Sequence, residues 1–257
     1  MNSMLRTIAH ESLCLVEGPY LKHYRRGRFR LWNGVSFTAS ELPGAGFNFA
    51  AVLGPAPPFD EIVTTSREFF ADCAKGWGIL VEADAGHPIE AELLQRGWAV
   101  DEDEPAYVLP HIEVANPAHP EFAIRHVGTA ADEAAYYRIT AAAFAVPPEL
   151  AELMVPPSSF IGDPDVALFV GTCSGEDVAA AVYSRSGTTA VVAGVATLEP
   201  FRGRGFGAAI TQAALAHAAA NGCTSASLRS GPKSRPLYER LGFQYVCNHR
   251  TYAAPSS

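Results

Sequence analysis

The sequence predicts a layered α/β fold of the α+β type, a mixed and mostly antiparallel sheet flanked by helices. Three observations predict it. Short segments of period-two alternation are interleaved with helical stretches. Two strands meet at the tight turn Ser186-Gly187, so the sheet contains hairpins and cannot be all parallel. The two halves of the chain also end alike. Gly97-Trp98 is followed by Tyr107 and Pro110 at the spacing at which Gly242-Phe243 is followed by Tyr252 and Pro255. A helical pattern precedes each glycine, at Ile89–Arg96 and Arg235–Leu241, so two tandem copies of one fold are expected.

The second half reads element by element. Phe122–Val127 alternates as a strand. Thr129 is the N-cap of a helix with Asp132 and Glu133 in its first turn, running to about Phe144 and stopped before Pro147. Pro148–Met154 is a second short helix, Val166–Gly171 a strand and Gly175-Glu176-Asp177 a turn. Strands follow at Val178–Ser184 and Thr188–Leu198. A long alanine-rich helix spans Gly203–Ala220, closed by Asn221-Gly222, and then come strand Thr224–Leu228, helix Arg235–Leu241 and strand Phe243–Tyr252. In the first half Val35–Phe37, Asn48–Leu53, Gly78–Glu82 and Ala99–Leu109 read as strands and Asp60–Lys75 as a helix. Three prolines between Pro110 and Pro120 mark a linker. The expected organisation is a first domain at 1–112, a linker at 113–121 and a second domain at 122–257.

Composition narrows the function. Hydrophobic residues make up 48% and charged residues 18% of 257, so the chain can bury a core. A net charge of -8 excludes the broad basic stripe that nucleic acid needs, so no nucleic-acid partner is expected. The basic cluster of Lys22, Arg25, Arg26, Arg28 and Arg30 reads as a solvated turn or edge strand. The five cysteines are widely spaced without C-x-x-C, which argues for buried thiols in a reducing cytoplasm and against disulfides or a zinc site; no metal is expected. Met1–Val16 carries Arg6, His10 and Glu11 and does not read as a signal peptide, and no apolar run suits a membrane span.

The chemistry concentrates in Glu199-Pro200-Phe201-Arg202-Gly203-Arg204-Gly205-Phe206-Gly207-Ala208, between a strand and a long helix. Glycines allow tight turns and close approach to backbone amides. A helix start leaves N–H groups unpaired and adds partial positive charge, which together suit a pyrophosphate. Arg202 and Arg204 add charge-assisted donors. Gly203-x-Gly205-x-x-Ala208 also fits a dinucleotide fingerprint, and Arg229 would suit a 2′-phosphate, which keeps an NADP-dependent enzyme as an alternative. Against it, too few strands follow the motif, and Ala208–Lys233 holds no acidic residue for a ribose.

Arg202-Gly203-Arg204-Gly205-Phe206-Gly207 resembles the [RQ]-x-x-G-x-[GA] signature of the GNAT superfamily of N-acetyltransferases, and Leu237-Tyr238-Glu239-Arg240-Leu241-Gly242-Phe243 resembles its second hallmark, L-Y-x-x-L-G-F. The resemblance covers Phe122 to about Pro255 and implies the GNAT fold. It implies acetyl-CoA as cofactor, with the coenzyme A pyrophosphate held by Arg202, Gly203, Arg204, Gly205, Phe206 and Gly207, with Ala208 just behind. It implies backbone contacts to the pantetheine from Val195, Ala196 and Thr197, and Tyr238 as the acid near the thioester sulfur. Phe144, Met154 and Phe160 fall where relatives line the acceptor pocket. The implied activity is acetyl transfer to a primary amine, on a small molecule or a peptide, by a cytoplasmic monomer or homodimer without a membrane partner. A non-catalytic acyl-CoA sensor is the other reading. Two departures stand out. No base is assigned, because Thr188–Leu198 holds no carboxylate, and Gly231 replaces the asparagine many relatives carry, leaving Ser234 or Arg235 to take its contact. The first half lacks the glycine-arginine loop and places Leu93 where Tyr238 stands, so it reads as a degenerate GNAT-like copy that helps shape the acceptor cleft. His217 and Trp32, Trp77 and Trp98 read as core residues.

Overall fold

The computed structural model describes residues 3–15, 17–40, 42–55, 57–73, 76–83, 88–113 and 119–255. The first half runs α1 (Ser3–Leu15), α2 (Glu17–Leu21), β1 (Arg28–Trp32), β2 (Val35–Ala39), β3 (Phe49–Val52), α3 (Phe59–Phe69), β4 (Gly78–Ala83), α4 (Pro88–Gln95) and β5 (Ala99–Leu109). The second runs β6 (Phe122–His126), α5 (Ala130–Ala143), α6 (Pro148–Met154), β7 (Val166–Cys173), β8 (Glu176–Ser186), β9 (Thr189–Thr197), α7 (Phe206–Ala220), β10 (Ser225–Arg229), α8 (Arg235–Arg240) and β11 (Gln244–Ala253). The linker core, 114–118, and the end of the helix expected at Asp60–Lys75 lie outside the described residues.

The strands join in one sheet of order β1-β2-β3-β4-β11-β5-β10-β9-β8-β7-β6. Only β3–β4 and β9–β10 pair in parallel, each spanned by a crossover helix, α3 and α7. The expected mixed, mostly antiparallel sheet is therefore present across both halves. The halves interlock at its centre. β5 of the first half lies between β11 and β10, and β11 of the second lies between β4 and β5. Their shared ladder runs from Gln244↔Val108 to Ala253↔Ala99.

The repeat is visible in hydrogen bonds as well as in letters. After α4, Trp98 N–H donates to Leu93 O at 3.0 Å and Gly97 N–H to Leu94 O at 3.1 Å; after α8, Phe243 N–H donates to Tyr238 O and Gly242 N–H to Glu239 O, both at 3.0 Å. These are the paired bonds of a Schellman stop, and Gly97 and Gly242 supply its left-handed residue with φ of 78° and 87°. Leu93 thus occupies the place of Tyr238, and it is fully buried.

Side chains alternate between the two faces of the sheet. On one face Tyr107, Val192, Ala226 and Leu228 pack under α7 and α8 (Phe206, Ile210, Ala214, Tyr238), and Ile79, Val81 and Tyr252 under α3 and α4. On the other, α1 covers Ala106, Val108 and Val191, and α5 covers Leu168, Ala180 and Val182. His217 packs between His126, Phe169 and Tyr183, which agrees with a core role. Arg28 and Arg30 lie on β1, the outer strand of the sheet, where Arg28 pairs with Asp72 and Arg30 lies over Phe37 and Phe69. A charged outer strand resists pairing with further chains.

Four local readings differ. The long helix starts at Phe206 rather than Gly203, because Gly203 and Gly205 hold φ of 78° and 86°, outside helical space. The turn expected at Gly175-Glu176-Asp177 sits at Ser174-Gly175, both at positive φ, and Glu176 already pairs with Cys173. α1 and α2 were not expected at all. The helix expected from Asp60 onward ends at Phe69, and Phe70 N–H closes its last turn on Ser66 O.

Near the β6 edge, Arg125 braces the second half. Its Nε donates to Asp132 at 2.7 Å, and its two terminal nitrogens donate to Asp177 at 2.7 and 2.9 Å. Asp132 also closes the capping box with Thr129, the N-cap expected from sequence. The Arg125 bonds hold both carboxyls below their ordinary value, Asp132 at about 2. A depressed folded-state pKa stabilises fully above the unfolded value of about 4 and is lost as pH falls through the folded one. Arg125→Ala is therefore expected to lower the melting temperature by a few degrees at pH 7 and by progressively less from pH 4 to pH 2. Melts across that range check it, and a deficit that stays constant down to pH 2 would refute the role given to Arg125.

Candidate active site

The seam between β9 and β10 organises the site. The two strands pair only at Thr189↔Ser225, Ala190↔Ala226 and Val191↔Ser227. Beyond Val191, β9 stays with β8 while β10 stays with β5. A bulge sits between the pairs Ala180↔Ala196 and Val182↔Ala193, with Gly194 at φ of 57°. A Cβ at Gly194 would lie 2.7 Å from Tyr136 Oη, so only glycine fits there. Along the opened stretch, β9 groups facing β10 have no strand partner.

β9 then runs into the 3₁₀ turn Glu199–Phe201 and the loop ahead of α7. Gly205 is the N-cap of α7 and offers no side-chain acceptor, and the first bond back to it comes from Ala209 N–H. The amides of Phe206, Gly207 and Ala208 therefore have no intrahelical acceptor. Among the described residues, nothing lies within 4 Å of a Cβ placed on Gly203, and Gly205 meets only His119, at 4.0 Å. The loop is thus an open cradle of backbone donors at a positive helix end, which fits a pyrophosphate.

The two arginines are turned to protein. Arg202 donates to Thr197 O and to Ala143 O, each at 3.0 Å, tying the loop to the end of α5. Arg204 pairs with Glu121 at 2.7 Å and lies 4.8 Å over the Phe206 ring. Phe206 stacks on Phe122 with centroids 4.3 Å apart, and His119 bonds the Arg204 carbonyl at 3.1 Å. Gly207 packs toward Leu237 of α8, where a Cβ would be tight at 3.2 Å. Val195 sits in the bulge and packs into the α7–α8 core, Ala196 is buried toward α5, and Thr197 O accepts from Arg202.

Tyr238 lies on α8 in the same core as Val195, 6% exposed, beside Tyr107 and Phe243. Burial pushes its phenol up to about 12, so the neutral form holds its proton throughout the physiological range. Ser234 and Arg235 follow the Gly231 position; Ser234 holds the N-cap position of α8 without a side-chain capping bond, and Arg235 pairs with Glu239 at 2.7 Å.

On the opposite face of the seam is a cavity of about 360 Å³. Val191, Val192, Ala193 and Gly194 form its floor, and Tyr20, Tyr24, Phe47, Tyr136 and Met154 line it. Glu104 and Arg229 supply charge, 3.8 Å apart. Glu102 stands against the lining residue Gly46, and burial pushes its carboxyl above the usual range, with the Glu104 charge adding to it. Of the three residues expected at an acceptor pocket, Met154 lines the cavity. Phe160 is instead buried against Tyr20 and His23, because α6 and the segment after it fold over α2. Phe144 ends α5 and is 54% exposed. Tyr20, Tyr24, Phe47 and Glu104 were missed. Their sequence signal was faint: Glu104 belongs to the acidic run Asp101–Glu104, in which no single carboxylate stands out.

The profile of the acetyltransferase (GNAT) family matches residues 133–243, which span α5, β7–β10, α7 and α8. Residues 133–243 are a GNAT-family domain. The GNAT fold extends over the whole chain. A GCN5-related N-acetyltransferase from Kribbella flavida superposes with a TM-score of 0.73 at 20% identity, over 97% of this chain and 96% of its own. A putative GNAT-family acetyltransferase from Novosphingobium aromaticivorans superposes at 0.59 and 19% identity, over 98% and 99%. A tandem GNAT protein from the clavulanic acid biosynthesis pathway superposes at 0.57 and 14% identity, over 90% and 80%. At these identities the likeness is one of fold. No curated protein sequence matches the chain. No helix among the described residues is long and apolar enough to cross a membrane.

Proposed function

We propose that this chain transfers an acetyl group from acetyl-CoA to the primary amine of a small molecule, using the second half for the cofactor and both halves for the acceptor. The observation that carries this reading is the β9–β10 seam, which has an anion cradle on one side and a cavity on the other. The cofactor supplies an activated acyl thioester. The α7 amides at Phe206, Gly207 and Ala208 hold its pyrophosphate, while Arg202 and Arg204 brace the loop that presents them. Unpaired β9 backbone around Val195 receives the pantetheine. An N–H of that strand facing the carbonyl would polarise it. Tyr238 carries the proton for the departing thiolate.

The amine enters from the cavity. A volume of about 360 Å³ with a mostly aromatic and aliphatic wall suits a small molecule. Glu104 anchors the ammonium, and Glu102, with its raised proton affinity, takes up the proton that the amine must lose before attack. The first half thus contributes the acceptor's charge partners although its own cofactor loop is gone. Its crossover into α3 carries Pro57 and Pro58, which have no N–H to offer, in place of glycines and arginines.

The first experiment is a thermal melt with acetyl-CoA, coenzyme A and NADPH, followed by thiol release against an amine panel. A shift with acetyl-CoA and acetylation of at least one amine are expected; a shift with NADPH alone would overturn the reading. Glu104→Gln is expected to raise the acceptor KM by about 10- to 100-fold, the worth of one charged hydrogen bond. It should leave the acetyl-CoA thermal shift in place. An unchanged KM would remove Glu104 from the acceptor site.

A further inference from the structure

Away from the seam, α1 lies across the sheet and brings a second set of reactive groups together. His10 and Cys14 are one turn apart on its buried face, 5% and 0% exposed. His249, 2% exposed, rises from β11 to meet them. His10 Nδ1 stands 3.3 Å from His249 Nε2 and 3.8 Å from Cys14 Sγ, and the three ligand atoms lie within 4.8 Å of one another. We propose that His10, Cys14 and His249 bind a single transition-metal ion, zinc by ligand type, which fastens α1 to the centre of the sheet.

The two distances from His10 Nδ1 fit the ion, and the Cys14–His249 pair lies within 4.8 Å. With Zn–N of about 2.0 Å and Zn–S of about 2.3 Å, a tetrahedral centre separates two nitrogens by about 3.4 Å and nitrogen from sulfur by about 3.6 Å. As a hydrogen bond, 3.3 Å between ring nitrogens is long, since N–H donors favour about 2.9 Å. The outer shell fits at His10. His10 Nε2–H donates to the Val52 carbonyl, which fixes the tautomer and turns the Nδ1 lone pair toward the cluster. Among the described residues His249 Nδ1 is buried without a hydrogen-bond partner, and the ring's polar contact is the one from Nε2 to His10. The donor set of two imidazoles and one thiol suits zinc, and binding displaces the Cys14 thiol proton to solvent. A water completes the tetrahedron.

The site has a structural consequence. Leu13 of α1 and Tyr20, Leu21 and Tyr24 around α2 wall the cavity over β9. An ion that pins His10 and Cys14 to β11 holds that wall in place. The sequence offered one clue, the His10–Cys14 spacing of a single helical turn, with the third ligand more than two hundred residues away.

Cobalt(II) is the probe, added to the full chain after dialysis against a chelator. Saturation at one equivalent is expected, with tetrahedral visible bands and a near-ultraviolet thiolate-to-cobalt band. Cys14→Ser should lose the thiolate band, and His249→Gln should bind at least tenfold more weakly. Zinc(II) should raise the melting temperature of the native chain by several degrees, a readout that needs no variant to fold. Absence of stoichiometric cobalt binding together with an unmoved melt in zinc overturns the proposal. So does a thiolate band that survives Cys14→Ser, which would place the metal elsewhere.

Discussion

Gly205→Glu is expected to abolish the rise in melting temperature that acetyl-CoA gives, while leaving the unliganded protein close to its native stability. Both halves of that expectation come from geometry. Gly205 is the N-cap of α7 at φ of 86°, and a Cβ there meets only His119 at 4.0 Å, so the substitution is strained but not crowded. A left-handed residue costs about 1–2 kcal/mol. A carboxylate at a helix N-terminus returns part of this through the dipole. The same carboxylate occupies the cradle of the Phe206, Gly207 and Ala208 amides and repels a pyrophosphate. A ligand at about 100 times its Kd contributes about 2.7 kcal/mol, several degrees for a chain of this size, and that contribution should vanish. Gly205→Asn, which tolerates the same φ without charge, should keep part of the shift. If Gly205→Glu melts higher with acetyl-CoA just as the native protein does, the pyrophosphate is not held at this helix.

Tyr238→Phe is expected to lower kcat by about 100-fold with little change in either KM, the scale of losing one positioned acid. The ring should stay in place, because Tyr107 and Phe243 pack against it and phenylalanine keeps that surface. Burial holds the phenol at about 12, so it stays protonated throughout the neutral range. The activity of the native enzyme should consequently show no tyrosine titration below pH 10, and any rise with pH reports the amine or its base. A Tyr238→Phe enzyme within twofold of native kcat would mean that solvent protonates the thiolate and that Tyr238 is a core residue, as Leu93 is in the first half.

The second half was legible because its signals are local. Thr129 and Asp132 announce a helix start three residues apart, Asn221-Gly222 a helix stop, and Gly203 and Gly205 a strand-to-helix turn. In the first half the signals depend on partners far along the chain. α1 buries His10 and Ser12 within an apolar face, which breaks its periodicity; the groups that satisfy them are Val52 O and Ser227. The strand exchange leaves no mark on any single segment, since β5 and β11 each read as ordinary final strands. The cavity was missed for the same reason. Its floor comes from β9, a strand identified from sequence, but its walls come from the first half, whose contribution is defined only once α1 and α2 lie over that strand.

β11 follows every other element in the chain yet stands at the middle of the sheet, where Ala253 pairs with Gly78 on one side and with Ala99 on the other. During synthesis on the ribosome, β4 and β5 emerge long before the strand that joins them. Each half can gather its helices, but the seam between the halves must stay open until residues 244–253 have left the exit tunnel. Until then the nascent chain exposes two unpaired strand edges, the state most in need of a chaperone. Acquisition of the acceptor cavity, which needs both halves in register, therefore waits for β11.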